Sequence, residues 1–241
     1  MQWVDEGIVL GTRQFGESSV ILELFTRCHG RTMGLVPGGR SKTKSALLQG
    51  GNVLHAVWRA RLDEHLGTYQ VEPVHMRSHN LLGAPLALYG FMSIAALLRY
   101  LPERDPHEDL FETVYQVLEH LGEHTISPLL FIRLELAFLS EAGFGLDLTE
   151  CAATGTQQNL VYVSPRTGRA VCAEAGEPYK QRLLKLPWFL NNMTLENISS
   201  SDLQAGFLLT EHFLKRWIFE PRGVACPRER ARFIALAMQN C

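Results

Sequence analysis

Apolar residues follow two different rhythms along this chain, and the change between them falls near residue 80. Before it, the pattern is that of strands. Gly7-Ile-Val-Leu-Gly-Thr-Arg13 alternates weakly, Ser18-Ser-Val-Ile-Leu-Glu-Leu-Phe-Thr26 is rich in β-branched and aromatic residues, and Arg31-Thr-Met-Gly-Leu-Val36 follows a glycine turn. Alternation is clearest in residues 52–62. Val53, His55, Val57, Arg59 and Arg61 fall on one face, and Leu54, Ala56, Trp58, Ala60 and Leu62 on the other. That period of two is a half-buried strand, apolar inward and basic at one end of its outer side. A fifth run, Gly67-Thr-Tyr-Gln-Val-Glu72, is expected to stop at Pro73, because proline has no N–H for a ladder.

After residue 80 the spacing becomes three and four. Residues 86–101, 109–121 and 129–142 read as amphipathic helices separated by Pro102, Pro106 and Pro128, with proline acting as a stop or an N-terminal start. The third is apolar on most of its circumference, with Arg133 and Glu135 its only charges before Glu141, so it belongs at the centre of a bundle. Gly143 and Gly145 end it. Residues 159–164 and 169–172 flank Pro165-Arg-Thr-Gly168 and read as a hairpin. Helices resume over 202–219 and 227–239, the latter with Pro227 in its first turn. The expected fold class is therefore α+β. A five-stranded OB-type barrel over residues 1–80 precedes a larger α-helical domain over 81–241, which carries a small hairpin insertion at about 151–175. Gly83 and Pro85 mark the joint.

Composition leaves the class open to a soluble globular protein: of 241 residues 46% are hydrophobic and 20% charged. No run approaches the ~18 apolar residues of a membrane span. The opening MQWVDEGIVLG carries acids where an export signal carries bases, so a cytoplasmic location is expected. Charge sharpens the picture more. The net charge of −2 hides an acid-free run from residue 24 to residue 62 that contains Arg27, Arg31, Arg40, Lys42, Lys44, Arg59 and Arg61. With Arg13, these are the candidate contacts to a polyanion. At the centre lies Pro37-Gly-Gly-Arg-Ser-Lys-Thr-Lys-Ser45, where cations alternate with hydroxyls suited to phosphate oxygens. It lacks the Walker spacing, and it is expected to be a loop with no helix close behind it. Small barrels of this kind add aromatic platforms to a basic groove. Phe15, Phe25, Trp58 and Tyr69 are available, each expected in the core.

The stretch Gly7-Ile-Val-Leu with Gly16-Glu-Ser-Ser-Val-Ile-Leu-Glu-Leu-Phe-Thr-Arg-Cys-His-Gly-Arg31 and Gly34-Leu-Val-Pro-Gly-Gly-Arg40 resembles the opening of the bacterial RecO family of recombination mediators. Leu134-Glu-Leu, Gly143-Phe-Gly-Leu-Asp-Leu, Cys151 and Tyr162-Val-Ser-Pro-Arg-Thr-Gly-Arg-Ala-Val-Cys172 extend the likeness, in the same order, over about residues 1–190. The resemblance implies an OB domain that binds single- and double-stranded DNA, annealing of complementary strands, and no bond-breaking activity. It implies cooperation with RecR in loading RecA onto DNA coated by single-stranded-DNA-binding protein, contact with that protein's acidic C-terminal tail, and association with the nucleoid when bound to DNA. Many relatives carry two Cys-x-x-Cys pairs around the hairpin, a structural zinc arrangement. Here they read Cys151-Ala-Ala-Thr154 and Cys172-Ala-Glu-Ala175, so the hairpin is a degenerate zinc-finger-like element. No zinc or other cofactor is expected.

Five cysteines, at 28, 151, 172, 226 and 241, do not form a disulfide framework. No Ser-His-Asp order stands out, and the acids at 103–109 sit between prolines in a polar linker. The alternative to DNA binding is a protein–protein adaptor with a purely structural barrel, in which Arg133 grips the carboxylate of an acidic peptide. The two readings are compatible, since the family does both.

Overall fold

The computed structural model describes residues 1–62, 64–191 and 198–240, so Cys241 lies outside it. Two compact units divide at residue 122: Met1–Gly122 and Glu123–Cys241.

Five strands build the first unit: β1 (Gln2–Phe15), β2 (Ser19–Thr26), β3 (Gly30–Val36), β4 (Val53–Arg59) and β5 (Thr68–His75), with a short helix α1 (Lys42–Leu47) between β3 and β4. They close into a barrel in the order β1-β2-β3-β5-β4. All pairings are antiparallel except β3 with β5, which meet in parallel at a single pair, Leu35 and Thr68. That is the OB arrangement, and closure removes most strand edges. β1 is long enough to serve two partners because a bulge between Val9 and Gly11 bends it from β4 toward β2.

Val9, Leu22, Leu24, Val36, Leu54, Ala56, Trp58 and Tyr69 fill the barrel. At the seam the ring of Tyr69 lies against Gly34, where a Cβ would come within 2.5 Å of the ring. The Tyr69 hydroxyl is hydrogen-bonded to Thr32 Oγ1 at 2.6 Å. Part of the outer face is buried too, at Ile8, Ile21, Phe25 and Val53, because helices cover that part of the outside. α2 (Ser78–Gly83), α3 (Pro85–Leu98) and α4 (Glu108–His120) follow the barrel, and Phe25 packs on Phe111 of α4 with centroids 5.9 Å apart. Between α3 and α4 the chain returns to β3: Glu103 bridges to Arg31, and the Arg104 N–H donates to the Arg31 carbonyl at 2.8 Å. Arg104 takes a left-handed φ of 64° to do so.

Two expectations are corrected. The Arg40–Lys44 stretch is not wholly a loop: Ser41 caps α1, its hydroxyl accepting from the Lys44 N–H. The helix escapes a periodicity reading because it buries none of its residues. Likewise β5 does not stop at Pro73 but runs on to His75. Pro73 is tolerated because it pairs with Leu54 of β4 on one side only, β3 having already turned away.

The second unit contains α5 (Ser127–Leu139), the strands β6 (Leu160–Val163), β7 (Ala170–Cys172) and β8 (Leu184–Lys185), a one-turn α6 (Ala173–Gly176), α7 (Ser200–Phe213) and α8 (Arg228–Ala237). α5 and α7 each pass into a wider, π-type turn, at Ser140–Phe144 and Leu214–Phe219. The expected hairpin is present as β6 and β7, with β8 as a third strand on the other side of β6. Aromatic rings dominate the core: Phe131 stacks on Phe233 at 4.2 Å, and Phe213 on Trp217 at 4.5 Å. Amid them lies a buried ion pair. Arg230 Nε donates to Glu135 Oε1 at 2.6 Å, and Arg230 Nη2 donates to Glu135 Oε2, Thr210 Oγ1 and the Phe207 carbonyl.

Candidate nucleic-acid interface

The eight candidate cations do not act together. Four gather at one end of the barrel, where the β1–β2 hairpin turns over residues 16–18 and the β3–α1 connection runs beside it. Arg13 is exposed on β1, two residues before the hairpin tip, and Arg40, Lys42 and Lys44 are exposed on the connection and α1. The two segments are tied together: the Arg40 N–H donates to the Ser18 carbonyl at 3.1 Å and its Nη1 to the Glu17 carbonyl at 2.7 Å. Lys44 Nζ donates to the Pro37 carbonyl at 2.7 Å. These bonds set the loops without neutralising the cations, since every acceptor is a neutral carbonyl. Arg13 also lines a groove with Ile21, Met33, Arg99 and the acid Glu23, which pairs with Arg99.

Arg27 and Arg31 are spent elsewhere. Arg27 pairs with Glu6 at 3.4 Å and with Glu112 of α4, and lies over the Phe111 ring. Arg31 pairs with Glu23 at 3.1 Å, which also holds Arg99 of the α3 C-terminus at 2.8 Å. These arginines fasten helices to the barrel. Arg59 and Arg61 lie at the opposite end, since Arg59 stands across from Gln2 at the start of β1 and donates to Gln2 Oε1 at 3.0 Å.

At this end, a cavity of about 560 Å³ is bordered by Gln2, Trp3, His29, Thr32, Trp58 and Arg104. Trp3 stacks between His29, 4.3 Å away, and Trp58, 5.6 Å away. His29 is oriented by Asp5, whose Oδ2 lies 2.9 Å from Nδ1. Sequence reasoning missed Trp3, Arg99 and Arg104. The two arginines come from the helical segment after the barrel, beyond the acid-free run, and no local pattern marks them. Of the four aromatics expected in the core, Phe25, Trp58 and Tyr69 are buried, but Phe15 is 51% exposed at the hairpin tip.

Arg133 is half-buried on α5, its Nη2 donating to the Phe189 carbonyl at 2.9 Å. His55 and His65 are exposed, as are Glu103, Asp105, Glu108 and Asp109.

Residues 1–77 match the family model described as "Recombination protein O N terminal", and residues 83–223 the one described as "Recombination protein O C terminal". Curated relatives named "DNA repair protein RecO" align nearly end to end. That of Methylorubrum populi is 51% identical over 98% of each chain, that of Beijerinckia indica 52% over 98% of this chain and 94% of its own, and that of Brucella abortus 49% over 97% and 95%. The chain belongs to the RecO family. With that membership comes a role in DNA repair and recombination.

The four-cysteine zinc arrangement that the resemblance implies does not fit the residues at this hairpin. Only Cys151 and Cys172 supply thiols, Thr154 and Ala175 occupying the other two positions, and two thiolates do not complete a tetrahedral site. Among the described residues no group of three or more His, Cys, Asp or Glu is placed to hold an ion. Hydrogen bonds link what remains. The Cys172 N–H donates to Cys151 Sγ at 3.2 Å, and Thr154 Oγ1 lies 3.7 Å from Cys172 Sγ. Burial pushes the Cys151 thiol up. The Thr154 hydroxyl and the N–H groups of Cys172, Ala153 and Thr154 outweigh that and bring it down to about 6. Among the described residues no helix is long and apolar enough to cross a membrane.

Proposed function

We propose that this chain is a cytoplasmic recombination mediator without catalytic activity or cofactor. It binds single- and double-stranded DNA through the barrel, anneals complementary strands, and works with RecR to load RecA onto DNA coated by single-stranded-DNA-binding protein. The observation that carries the reading is the cluster of Arg13, Arg40, Lys42 and Lys44 on two mutually bonded segments at the hairpin end of an OB barrel. Two complementary strands repel through their phosphates. A surface that neutralises several phosphates at once lowers that repulsion and releases counterions, and base pairing then supplies the free energy. No nucleotide is consumed in such a step. Arg59 and Arg61 extend the cationic surface at the other end, whereas Arg27 and Arg31 act through the fold. Arg133 is the proposed contact for the acidic tail, with the Phe189 carbonyl fixing its guanidinium.

Strand annealing of short complementary oligonucleotides in the absence of nucleotide tests the reading, together with a salt titration of single-strand affinity. Annealing should be accelerated. The log–log slope should be negative, by about 0.7 for each phosphate contact, and replacing Arg40, Lys42 and Lys44 with Ala should make it shallower by about 2. Absence of annealing together with a slope near zero would leave the barrel a structural element and favour the adaptor.

A further inference from the structure

We infer that Phe15 is a stacking platform for an unpaired DNA base, which makes the hairpin end of the barrel selective for single strands. The inference rests on the reading of the barrel as the DNA interface and adds to it a residue and a preference. Phe15 closes the β1–β2 hairpin opposite Ser19 and is about half exposed, although a phenyl ring gains nothing from water. The middle of β1 and most of β2 are well buried, with Ile8, Val9, Leu22, Leu24 and Phe25 all fully so, whereas β1 is exposed from Thr12 to Phe15. Exposure at this one ring is therefore not a sign of a poorly filled barrel.

The surroundings supply what an isolated exposed aromatic lacks. Arg13, two residues earlier, shares the face of β1 with Phe15 by the alternation of the strand. On the other side of the turn, Arg40 reaches across to the Glu17 carbonyl, and its own N–H holds the Ser18 carbonyl. Phe15 thus shares its face with Arg13, on a turn that Arg40 braces from the opposite face, beside Thr12 and Gln14. Only one acid, Glu17, lies within the turn itself. Cations alone attract any phosphate backbone and carry no preference between single and double strands. A ring offers its π-face only to a base that has left its partner, and every base has such a face, so the contact is tolerant of sequence. One ring among cations is therefore suited to an unpaired strand of any sequence, the substrate of an annealing protein.

The test compares the full-length chain with Phe15→Ala and Phe15→Trp, using fluorescence anisotropy on labelled oligo-dT and on a duplex of equal length. Phe15 is exposed, so both variants should fold as the parent does. Phe15→Ala should weaken oligo-dT binding by roughly five- to 150-fold and leave duplex binding within about twofold. Its salt slope should match the parent's, because no phosphate contact is lost. Phe15→Trp should keep the affinity, and its added indole should be quenched by oligo-dT beyond the parent's own tryptophan signal. Equal weakening on both nucleic acids, or no change on either, overturns the inference. The triple replacement of Arg40, Lys42 and Lys44 separates the two levels. If it weakens binding while Phe15→Ala does not, the platform fails and the interface stands. If it leaves both affinities intact, the interface itself fails.

Discussion

Replacing Arg230 with Met would leave the most deeply buried charge of the second unit without its counterpart. Glu135 is 0% and Arg230 2% exposed, and the guanidinium joins α5, α7 and α8 through Glu135, Thr210 and the Phe207 carbonyl. Glu211 lies further out, at 3.5 Å from Nη1. After Arg230→Met, among the described residues, only the Thr210 hydroxyl, at 2.5 Å, still donates to the Glu135 carboxylate. Removing one member of a buried pair costs about 3–5 kcal/mol, out of the roughly 5–15 kcal/mol that stabilises a typical domain. At about 4 °C per kcal/mol for a unit of this size, the melting temperature should fall by about 12–20 °C. Arg230→Met with Glu135→Leu should recover most of that loss, because apolar groups of similar volume often replace a buried pair without penalty. The two changes should therefore be non-additive, with a coupling of about 2 kcal/mol or more. Thermal melting by circular dichroism, with hydrogen exchange read separately over α5, α7 and α8, measures both quantities. A single variant that melts within about 2 °C of the parent, or a double variant as unstable as the two singles summed, would refute the reasoning.

Three further outcomes follow from the geometry. Gly34→Ala forces a methyl group into the Tyr69 ring at the seam, and urea titration should show the first unit destabilised by about 1–3 kcal/mol; an unchanged midpoint would mean that the seam is loose. Cys151 titrates near 6, below the usual thiol range, so the folded state favours the thiolate. Its contribution to stability is full above the unfolded pKa of about 8.5 and is lost as pH falls through the folded value. Melting temperature should therefore rise between about pH 6 and 8.5, and Cys151→Ser should remove that rise; a profile identical in the variant would place the effect on another group. Finally, Arg31→Ala should lower stability by loosening Glu23 and leave the salt slope of DNA binding intact, whereas Arg13→Ala should leave stability intact and make the slope shallower by about 0.7. The reverse pattern would exchange the roles assigned to the two residues.

The strands were legible where one face meets the barrel interior and the other meets water. β4 is the clearest case: Leu54, Ala56 and Trp58 are interior, and His55 and Arg59 exposed, as alternation requires. Val53 escapes the pattern because helices cover that part of the outer surface. The cation cluster was only half legible. Charge along the chain counts Arg27 and Arg31 with the rest, but their acidic partners come from β1, β2 and α4, and Glu112 stands 85 residues away from Arg27. α1 buries nothing and so has no apolar stripe to detect. Phe15 was misplaced for the opposite reason. Its residue type predicts burial, and its exposure depends on which parts of β1 the helices reach.

Closure of the barrel at one residue pair leaves the first half of β3 with an open side, and the chain after α3 occupies it. The Glu103–Arg104 segment takes up the Arg31 carbonyl there, and the Asp105 carbonyl sits so close to Gly30 that no side chain would fit. An unoccupied strand border of this kind invites pairing with other chains. The segment that blocks it begins 28 residues beyond the last barrel strand, from His75 to Glu103, inside the stretch matched to the C-terminal family model. The five strands are thus a complete sheet but not a self-sufficient body. Cut off at their own end, they would present both that border and the bare Phe25 ring, and the expected fate of such a fragment is self-association. What shields that border is a turn borrowed from its neighbour in sequence.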